Sequence, residues 1–178
     1  MSSLIIGCGY LGNRVAKRWL AKGREVVCLT RSASRAESLR QKGLLPLVGD
    51  VTQPDSLAPL GERNYETVLY AVGYDRTAGP SKRDVYLSGL QNVLEKVRRR
   101  GQRFIYISST SVYGVSDGSW VDELTQTNPA TESGEICLEA EEIVRQTFLD
   151  SKVSCSILRL AGIYGPDRLL RKVDQLRQ

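Results

Sequence analysis

A chain of 178 residues is long enough to bury a core of its own, and it fits a single domain. With 41% hydrophobic and 25% charged residues it has an ordinary globular composition, and no apolar run approaches the roughly 18 residues that a membrane span needs. The net charge of +5 includes the run Arg98-Arg99-Arg100, but this run ends an amphipathic segment and lacks interleaved aromatic residues, so we expect no nucleic-acid surface. The amino terminus has no basic, cleavable leader, so the expected location is the cytoplasm.

The sequence contains no histidine and four cysteines. Histidine is the commonest general base and the commonest metal ligand, so its absence removes the most frequent side chain for both roles. The cysteines form no C-x-x-C or other metal-type spacing. They are therefore interpreted as small buried hydrophobic residues, and no metal site is predicted.

Short apolar runs alternate with segments of 3.6-residue periodicity, which is typical of β-α-β units and a parallel sheet. Six strands are predicted, at 3–7, 25–29, 44–48, 67–72, 104–108 and 153–158. The predicted helices run from Gly12 to Gly23, from a Ser34-x-x-Glu37 capping box to Gly43, over a short segment at Pro54, and over 83–100 and 136–148. The predicted fold is α/β, a doubly wound parallel sheet whose ligands bind at the carboxyl ends of the strands.

Residues 7–12 read GCGYLG, a G-x-G-x-x-G motif that directly follows the first predicted strand. The first glycine permits a tight turn, the second lets the backbone approach a pyrophosphate, and the third lets helix and strand pack closely. The start of the next helix then offers free N–H groups to the phosphates. A glycine turn without a ligand is the alternative, but this context favours a dinucleotide site in a Rossmann-type sheet. The motif contributes Gly7, Gly9, Tyr10, Leu11 and Gly12 to the predicted site.

The second predicted strand ends at Thr30, Arg31 and Ser32, where an NAD site would carry an acid for the ribose hydroxyls. An arginine flanked by hydroxyl side chains suits the 2′-phosphate of NADP(H) instead. A solvated loop arginine is the alternative. We expect NADP(H) to be the preferred cofactor, with NAD(H) left open.

Further motifs follow the later strands in order: Gly49-Asp50-Val51, Ala71-Val72-Gly73, SSTSVYG at 108–114 and LRLAGIYGP at 158–166. With the glycine motif, they make the chain resemble the short-chain dehydrogenase/reductase superfamily, in the atypical members of its NAD(P)-dependent epimerase/dehydratase branch. The resemblance implies that Asp50 and Val51 flank the adenine. It also implies that Ala71, Val72 and Gly73 line the cofactor ribose, and that the 164–166 turn lies near the nicotinamide.

The family's reacting groups are only partly present. The resemblance places Ser109 where the family's hydroxyl contacts the substrate oxygen, which makes it the candidate catalytic residue. A lone hydroxyl without an adjacent base is weak chemistry, however, so packing or cofactor contact is favoured over a catalytic role for Ser109. The family's Tyr-x-x-x-Lys pair is replaced by Ser133 and Cys137, and none of the eight tyrosines has a lysine four residues later. Tyr113 and Tyr164 lie on motif loops but lack a neighbouring cation in the sequence. The expected oxidoreductase or isomerase activity is therefore weak or unconventional.

The resembled family continues beyond the Y-G-P turn into a C-terminal substrate lobe, which this sequence lacks. We expect residues 1–166 to form the NAD(P)-binding domain and residues 167–178 to form an amphipathic helix that starts a truncated lobe. The apolar stripe at 169–176 needs cover from its own domain, from a second copy of the chain or from a protein partner. Two rival hypotheses stay open: a non-catalytic NADP(H)-sensing regulator that acts through a partner, and a fragment of a longer enzyme.

Overall fold

The computed structural model describes residues 2–166 and residue 168, and a single six-stranded sheet lies at the centre of this part of the chain. The strands are β1 Ser2–Ile6, β2 Val26–Thr30, β3 Leu45–Val48, β4 Tyr65–Tyr70, β5 Gly101–Ser109 and β6 Ser154–Leu160. They pair in parallel in the order β3-β2-β1-β4-β5-β6. The predicted doubly wound α/β sheet is confirmed.

Four α-helices connect the strands: α1 Tyr10–Ala21, α2 Ala33–Arg40, α3 Gly89–Val97 and α4 Glu132–Phe148. Two 3₁₀ helices, Pro54–Glu62 and Thr110–Val112, add short turns. The predicted helix 83–100 is helical through Val97, but Asp84–Ser88 within it forms a π-helical turn that leads into α3. Its arginine run lies at the carboxyl end of α3, as expected.

The helices cover both faces of the sheet. Leu90, Val93, Leu94 and Val97 of α3 are buried against one face, in the predicted stripe. Ala16 of α1 and Leu39 of α2 are buried against the other. Because both faces are covered, every residue of β1 and β2 is buried, as is usual for the inner strands of a parallel sheet.

Two helix starts differ from the predictions. Helix α1 begins at Tyr10, so Gly12 lies inside the helix. The capping box predicted at Ser34 is wrong, because the extended residue Ser32 caps α2 and its hydroxyl accepts a hydrogen bond from the Arg35 N–H at 3.1 Å. Glu37 pairs with Arg40 instead of turning back to the cap. Ser32 and Ser34 are two residues apart, and both carry a hydroxyl that could cap a helix. Ser32 lies directly before α2, where its hydroxyl reaches a free N–H group of the first turn.

The predicted C-terminal helix, with its stripe of Leu169, Leu170, Val173 and Leu176, lies outside the described residues. Among residues 2–166 and 168, no helix is long and apolar enough to cross a membrane.

Candidate functional site

The glycine motif forms a tight turn where β1 meets α1. Gly7 has a φ of 91°, and a Cβ atom at Gly7 would lie 2.5 Å from the carbonyl oxygen of Ala71. A Cβ atom at Gly12 would lie 2.3 Å from the carbonyl oxygen of Gly7. Both distances are far below van der Waals contact, so these two positions require glycine for the fold itself.

Gly9 is different, because a Cβ atom there would meet nothing within 4 Å. Its φ of −78° is outside the left-handed region that favours glycine, so neither close packing nor a positive φ accounts for glycine at this position. Gly9 is also the N-cap of α1 and supplies no side-chain hydrogen bond, which leaves the first-turn N–H groups without a side-chain cap. A bare backbone and an uncapped helix start fit a phosphate group.

A cleft of about 500 Å³, here called the outer cleft, opens beside this turn. Two guanidinium groups lie in its wall. The Nη2 atom of Arg31 lies 3.2 Å from a carboxylate oxygen of Asp75, and the two side chains are 49% and 46% exposed. The Nη2 atom of Arg35 donates to the carbonyl oxygen of Cys8 at 2.6 Å. Arg35 was missed in the sequence because its link to the glycine turn is purely three-dimensional.

Asp75 is held as a carboxylate. Its Oδ1 atom accepts hydrogen bonds from the N–H and the hydroxyl of Thr77, at 3.0 and 2.7 Å. These bonds, followed by the bond from Arg31, lower the pKa of the Asp75 carboxyl group. An anion that binds Arg31 must therefore take the place of Asp75 or lie beside it.

Asp50 and Val51 also line the outer cleft. The Oδ1 atom of Asp50 accepts from the N–H and the hydroxyl of Thr52, at 2.9 and 2.8 Å. The Val51 carbonyl oxygen accepts from the side chain of Asn92 on α3 at 2.9 Å. Hydrogen bonds within the chain thus hold both Asp50 and Val51 in this turn.

A second cleft of about 730 Å³, the inner cleft, meets the outer one at Gly9 and at residues 71–74. Together they form one groove at the carboxyl ends of the strands, where the strand order reverses between β1 and β4. This is the usual ligand position in open parallel sheets. The outer part brings together Gly7, Gly9, Thr30, Arg31, Ser32, Asp50 and Val51, and the inner part Gly9, Tyr10, Leu11, Ala71, Val72, Gly73 and Ser109. Of the predicted cofactor residues, only Gly12 lies behind the groove, packed on Gly7.

Ser109 lines the inner cleft at the end of β5. Its hydroxyl oxygen accepts a hydrogen bond from the Ser111 N–H at 3.2 Å and caps the 3₁₀ helix that follows. The O–H group of Ser109 keeps its capacity to donate.

A buried carboxylate fixes the end of β5. Glu141 on α4 is 0% exposed, and the hydroxyl of Ser108 donates to it at 2.6 Å. Arg159 on β6 donates to it at 2.8 and 3.0 Å, and Arg145 donates at 2.7 Å. Burial alone would raise the pKa of Glu141, but the bonds from Arg159, Ser108 and Arg145 outweigh it and the pKa is lowered. This network joins α4, β5 and β6 immediately before Ser109.

The expectation that Tyr113 lacks a neighbouring cation is wrong, because the Arg159 guanidinium lies 4.8 Å from its ring centroid. The Tyr113 hydroxyl nevertheless donates to the backbone carbonyl of Asp122 at 2.7 Å. The Asp122 carboxylate accepts from the N–H groups of Leu124 and Thr125, which agrees with a solvated turn. Tyr164 is exposed.

Ser133 and Cys137 lie on the first turns of α4. The exposed hydroxyl of Ser133 accepts a hydrogen bond from Lys82. Cys137 is buried in the wall of the inner cleft, and burial raises its thiol pKa in spite of Lys82. The Nζ atom of Lys82 also lies 5.3 Å from the ring centroid of Tyr86, which lines the same cleft. This lysine precedes its tyrosine by four residues, so a search for lysine after tyrosine missed the pair.

Comparison with known proteins gives a consistent result. The model of the NAD dependent epimerase/dehydratase family matches residues 3–176. Protein YeeZ of Escherichia coli (strain K12) is 32% identical over 170 residues, which cover 92% of this chain and 59% of YeeZ. The photosystem II assembly factor Ycf39 of Synechocystis sp. is 30% identical over 110 residues, which cover 61% of this chain and 33% of Ycf39.

A solved structure from Methylobacillus flagellatus, assigned to the NAD-dependent epimerases/dehydratases, is 35% identical with a TM-score of 0.78. The match covers 99% of this chain and 60% of that one. The chain thus spans about three fifths of the length of YeeZ and of this structure.

Proposed function

Because the chain belongs to the NAD-dependent epimerase/dehydratase family, we propose that its groove binds NADP(H) and that any oxidoreductase or isomerase activity is unconventional. The adenosine half occupies the outer cleft and the nicotinamide half occupies the inner cleft. Residues 1–166 act as the dinucleotide-binding domain.

The observation that carries this proposal is the contrast among the three glycines. Gly7 and Gly12 are required by packing, whereas Gly9 has open space where a side chain would lie. A position with no neighbouring atom to exclude a side chain, and without a positive φ, still carries glycine, which a ligand that approaches the backbone explains. Beside Gly9, the uncapped start of α1 supplies N–H groups for the pyrophosphate.

Two arginines support the preference for NADP(H). Arg31 and Arg35 both line the outer cleft, and the carboxylate that marks NAD sites is absent from the end of β2. A 2′-phosphate, with its higher charge and three oxygens, displaces Asp75 from Arg31 in this proposal. Without a 2′-phosphate, Arg31 stays paired with Asp75, and water and salt screen this exposed ion pair.

The proposal that any activity is unconventional depends on two residues of α4, Ser133 and Cys137. Bound NADPH supplies a hydride, so the chain itself has to supply the proton and hold the substrate. At the family's tyrosine and lysine positions stand Ser133, whose hydroxyl is paired with Lys82, and Cys137, whose burial keeps it a neutral thiol. Neither side chain performs the proton transfer of a tyrosine activated by lysine.

The test is calorimetric titration of NADPH and NADH into the native chain and two glycine variants. Gly9→Ala is expected to fold normally and to lose at least tenfold in affinity for both cofactors, because its new methyl group enters the space left for the phosphates. Gly61→Ala is the matched control, since its Cβ atom would lie 3.9 Å from the nearest atom, in ordinary contact and away from the groove. Unchanged NADPH binding by Gly9→Ala would refute the proposed binding mode.

A second candidate function is an NADP(H)-responsive regulator that acts through a protein partner. The replacement of the catalytic pair favours it, as does the similarity to Ycf39, which is named as an assembly factor. This function predicts protein association that requires NADPH and disappears in Gly9→Ala, without any hydride transfer. Measured turnover of a carbonyl substrate would count against it.

A further inference from the structure

Tyr86 lies in the wall of the inner cleft. It lies on the π-helical turn Asp84–Ser88, a rare local structure that is frequent at functional sites. Its hydroxyl oxygen accepts a hydrogen bond from the backbone N–H of Tyr74 at 3.2 Å. In the part of the chain that the structure describes, the Tyr86 hydroxyl proton has no acceptor, so it is free to donate into the cleft.

Lys82 brings a positive charge to this tyrosine. It lies one turn earlier on the same helical segment, and its Nζ atom is 5.3 Å from the Tyr86 ring centroid. The hydrogen bond to Ser133 on α4 holds the ammonium group in place across two elements. A cation at this distance stabilises the phenolate that remains when the tyrosine gives up its proton.

Three titratable groups on the neighbouring elements β4, β5 and α4 interact with Tyr86, and all three are neutral near pH 7. Burial raises the pKa values of Tyr70 on β4, of Tyr106 on β5 and of Cys137 on α4. Burial also raises the pKa of Tyr86 itself, an effect that the bond from Tyr74 only partly offsets. Tyr86 therefore holds its proton at neutral pH, which suits a proton donor rather than a base.

We propose that Tyr86, assisted by Lys82, is the proton donor of the inner cleft for the oxygen of an aldehyde or ketone substrate. This inference rests on the proposed NADP(H) binding. Bound NADPH would supply the hydride that the carbonyl carbon needs. The Tyr86 O–H bond breaks, and its proton forms the new O–H bond of the alcohol. The tyrosinate, stabilised by Lys82, then takes a proton from water. The pair replaces the family's Tyr-x-x-x-Lys from a different element, with the order of the two residues reversed.

The experiment measures NADPH oxidation with two simple carbonyl probes, 4-nitrobenzaldehyde and 9,10-phenanthrenequinone. The native chain is expected to turn over at least one probe, and Tyr86→Phe is expected to lower kcat/KM by about 10²–10⁴-fold. Tyr65→Phe is the control, because it also removes a hydroxyl bonded to the backbone, here to Leu60, away from the groove. NADPH affinity, measured by calorimetry, is expected to stay within about twofold in both variants.

A second readout does not depend on turnover. The ionisation of Tyr86 is the difference between the ultraviolet pH titrations of the native chain and of Tyr86→Phe. In a Lys82→Met background this ionisation, and with it the alkaline fall of the reduction rate, is expected to move to higher pH. Lys96→Met, on α3, is the control and is expected to cause no such move.

The outcomes separate the two proposals. A chain that binds NADPH but reduces neither probe overturns the role of Tyr86 and leaves cofactor binding intact. Equal rates in the native chain and Tyr86→Phe, or a Tyr86 ionisation that ignores Lys82, also overturn it. A chain that does not bind NADPH at all refutes the proposed function itself.

Discussion

Replacing Glu141 by alanine tests whether the buried carboxylate network holds the carboxyl ends of β5 and β6 together. The substitution leaves Arg159 and Ser108 without their buried partner. Breaking a buried ion pair from one side typically costs about 3–5 kcal/mol. For a domain of this size each kcal/mol shifts Tm by about 2–4 °C, so we expect Tm to fall by about 6–20 °C.

The neighbouring residue supplies the control. Glu142 pairs with Arg145 at 3.6 Å but is 57% exposed, so Glu142→Ala should cost less than about 1 kcal/mol. Both variants are compared by calorimetric and chemical unfolding at neutral pH. Similar losses in the two variants would show that the network contributes no more than a surface pair.

The pH dependence gives an independent check on the same residue. Because the folded-state pKa of Glu141 is lowered, its contribution to stability is fully present above its unfolded value of about 4.3. The contribution is lost as pH falls through the folded-state pKa. The difference in Tm between the native chain and Glu141→Ala should therefore shrink in acid, and a gap that stays constant down to pH 2 would contradict the assignment.

Four further predictions concern the groove, the buried core and the C-terminal segment. Arg31→Ala should weaken NADPH by about 10–100-fold at low salt and leave NADH nearly unchanged, as measured by calorimetry; equal losses for both cofactors would exclude a 2′-phosphate contact. Asp75→Asn should strengthen NADPH binding, because it removes the carboxylate that competes for Arg31; weaker binding would show that Asp75 itself contacts the cofactor. Tyr70→Phe should raise Tm, because the buried Tyr70 hydroxyl has no partner among the described residues and an unsatisfied group costs about 1–3 kcal/mol. Deleting residues 167–178 should change the oligomeric state in light scattering, whereas an unchanged monomer of equal solubility would mean that the 169–176 stripe docks on its own domain.

The sheet could be predicted from the sequence because its inner strands β1, β2 and β4 are buried on both faces, although the edge strands β3 and β6 are partly exposed. Strands of this kind appear in the sequence as continuous apolar runs, and the segments between them keep a helical period. The type of each element and its order along the chain were therefore predicted correctly. The exact starts of the helices were harder to predict. Ser32 and Ser34 both suit an N-cap, and an apolar stripe looks the same whether a helix begins with α or π turns.

The glycine turn could be predicted because its residues are close in sequence and because packing accounts for two of its three glycines, Gly7 and Gly12. The pairs that complete the site could not, since they join separate elements. Arg35 reaches back to Cys8, Arg159 reaches from β6 to Glu141, and Lys82 reaches Ser133 on α4. The Lys82–Tyr86 spacing was present in the sequence, but it runs opposite to the order that the resemblance suggested.

The close contact between Gly7 and Ala71 has a consequence for how the protein is made. Gly7 directly follows β1 and Ala71 directly follows β4, and the pairing of Leu4 with Val68 joins the same distant segments. Neither the β1–β3 segment nor the β4–β6 segment contains the groove alone, so a nascent chain acquires it only after β4 has left the ribosome and docked. A ligand of the groove therefore stabilises only the completed sheet, by RT ln(1 + [L]/Kd), and leaves the earlier intermediates unprotected.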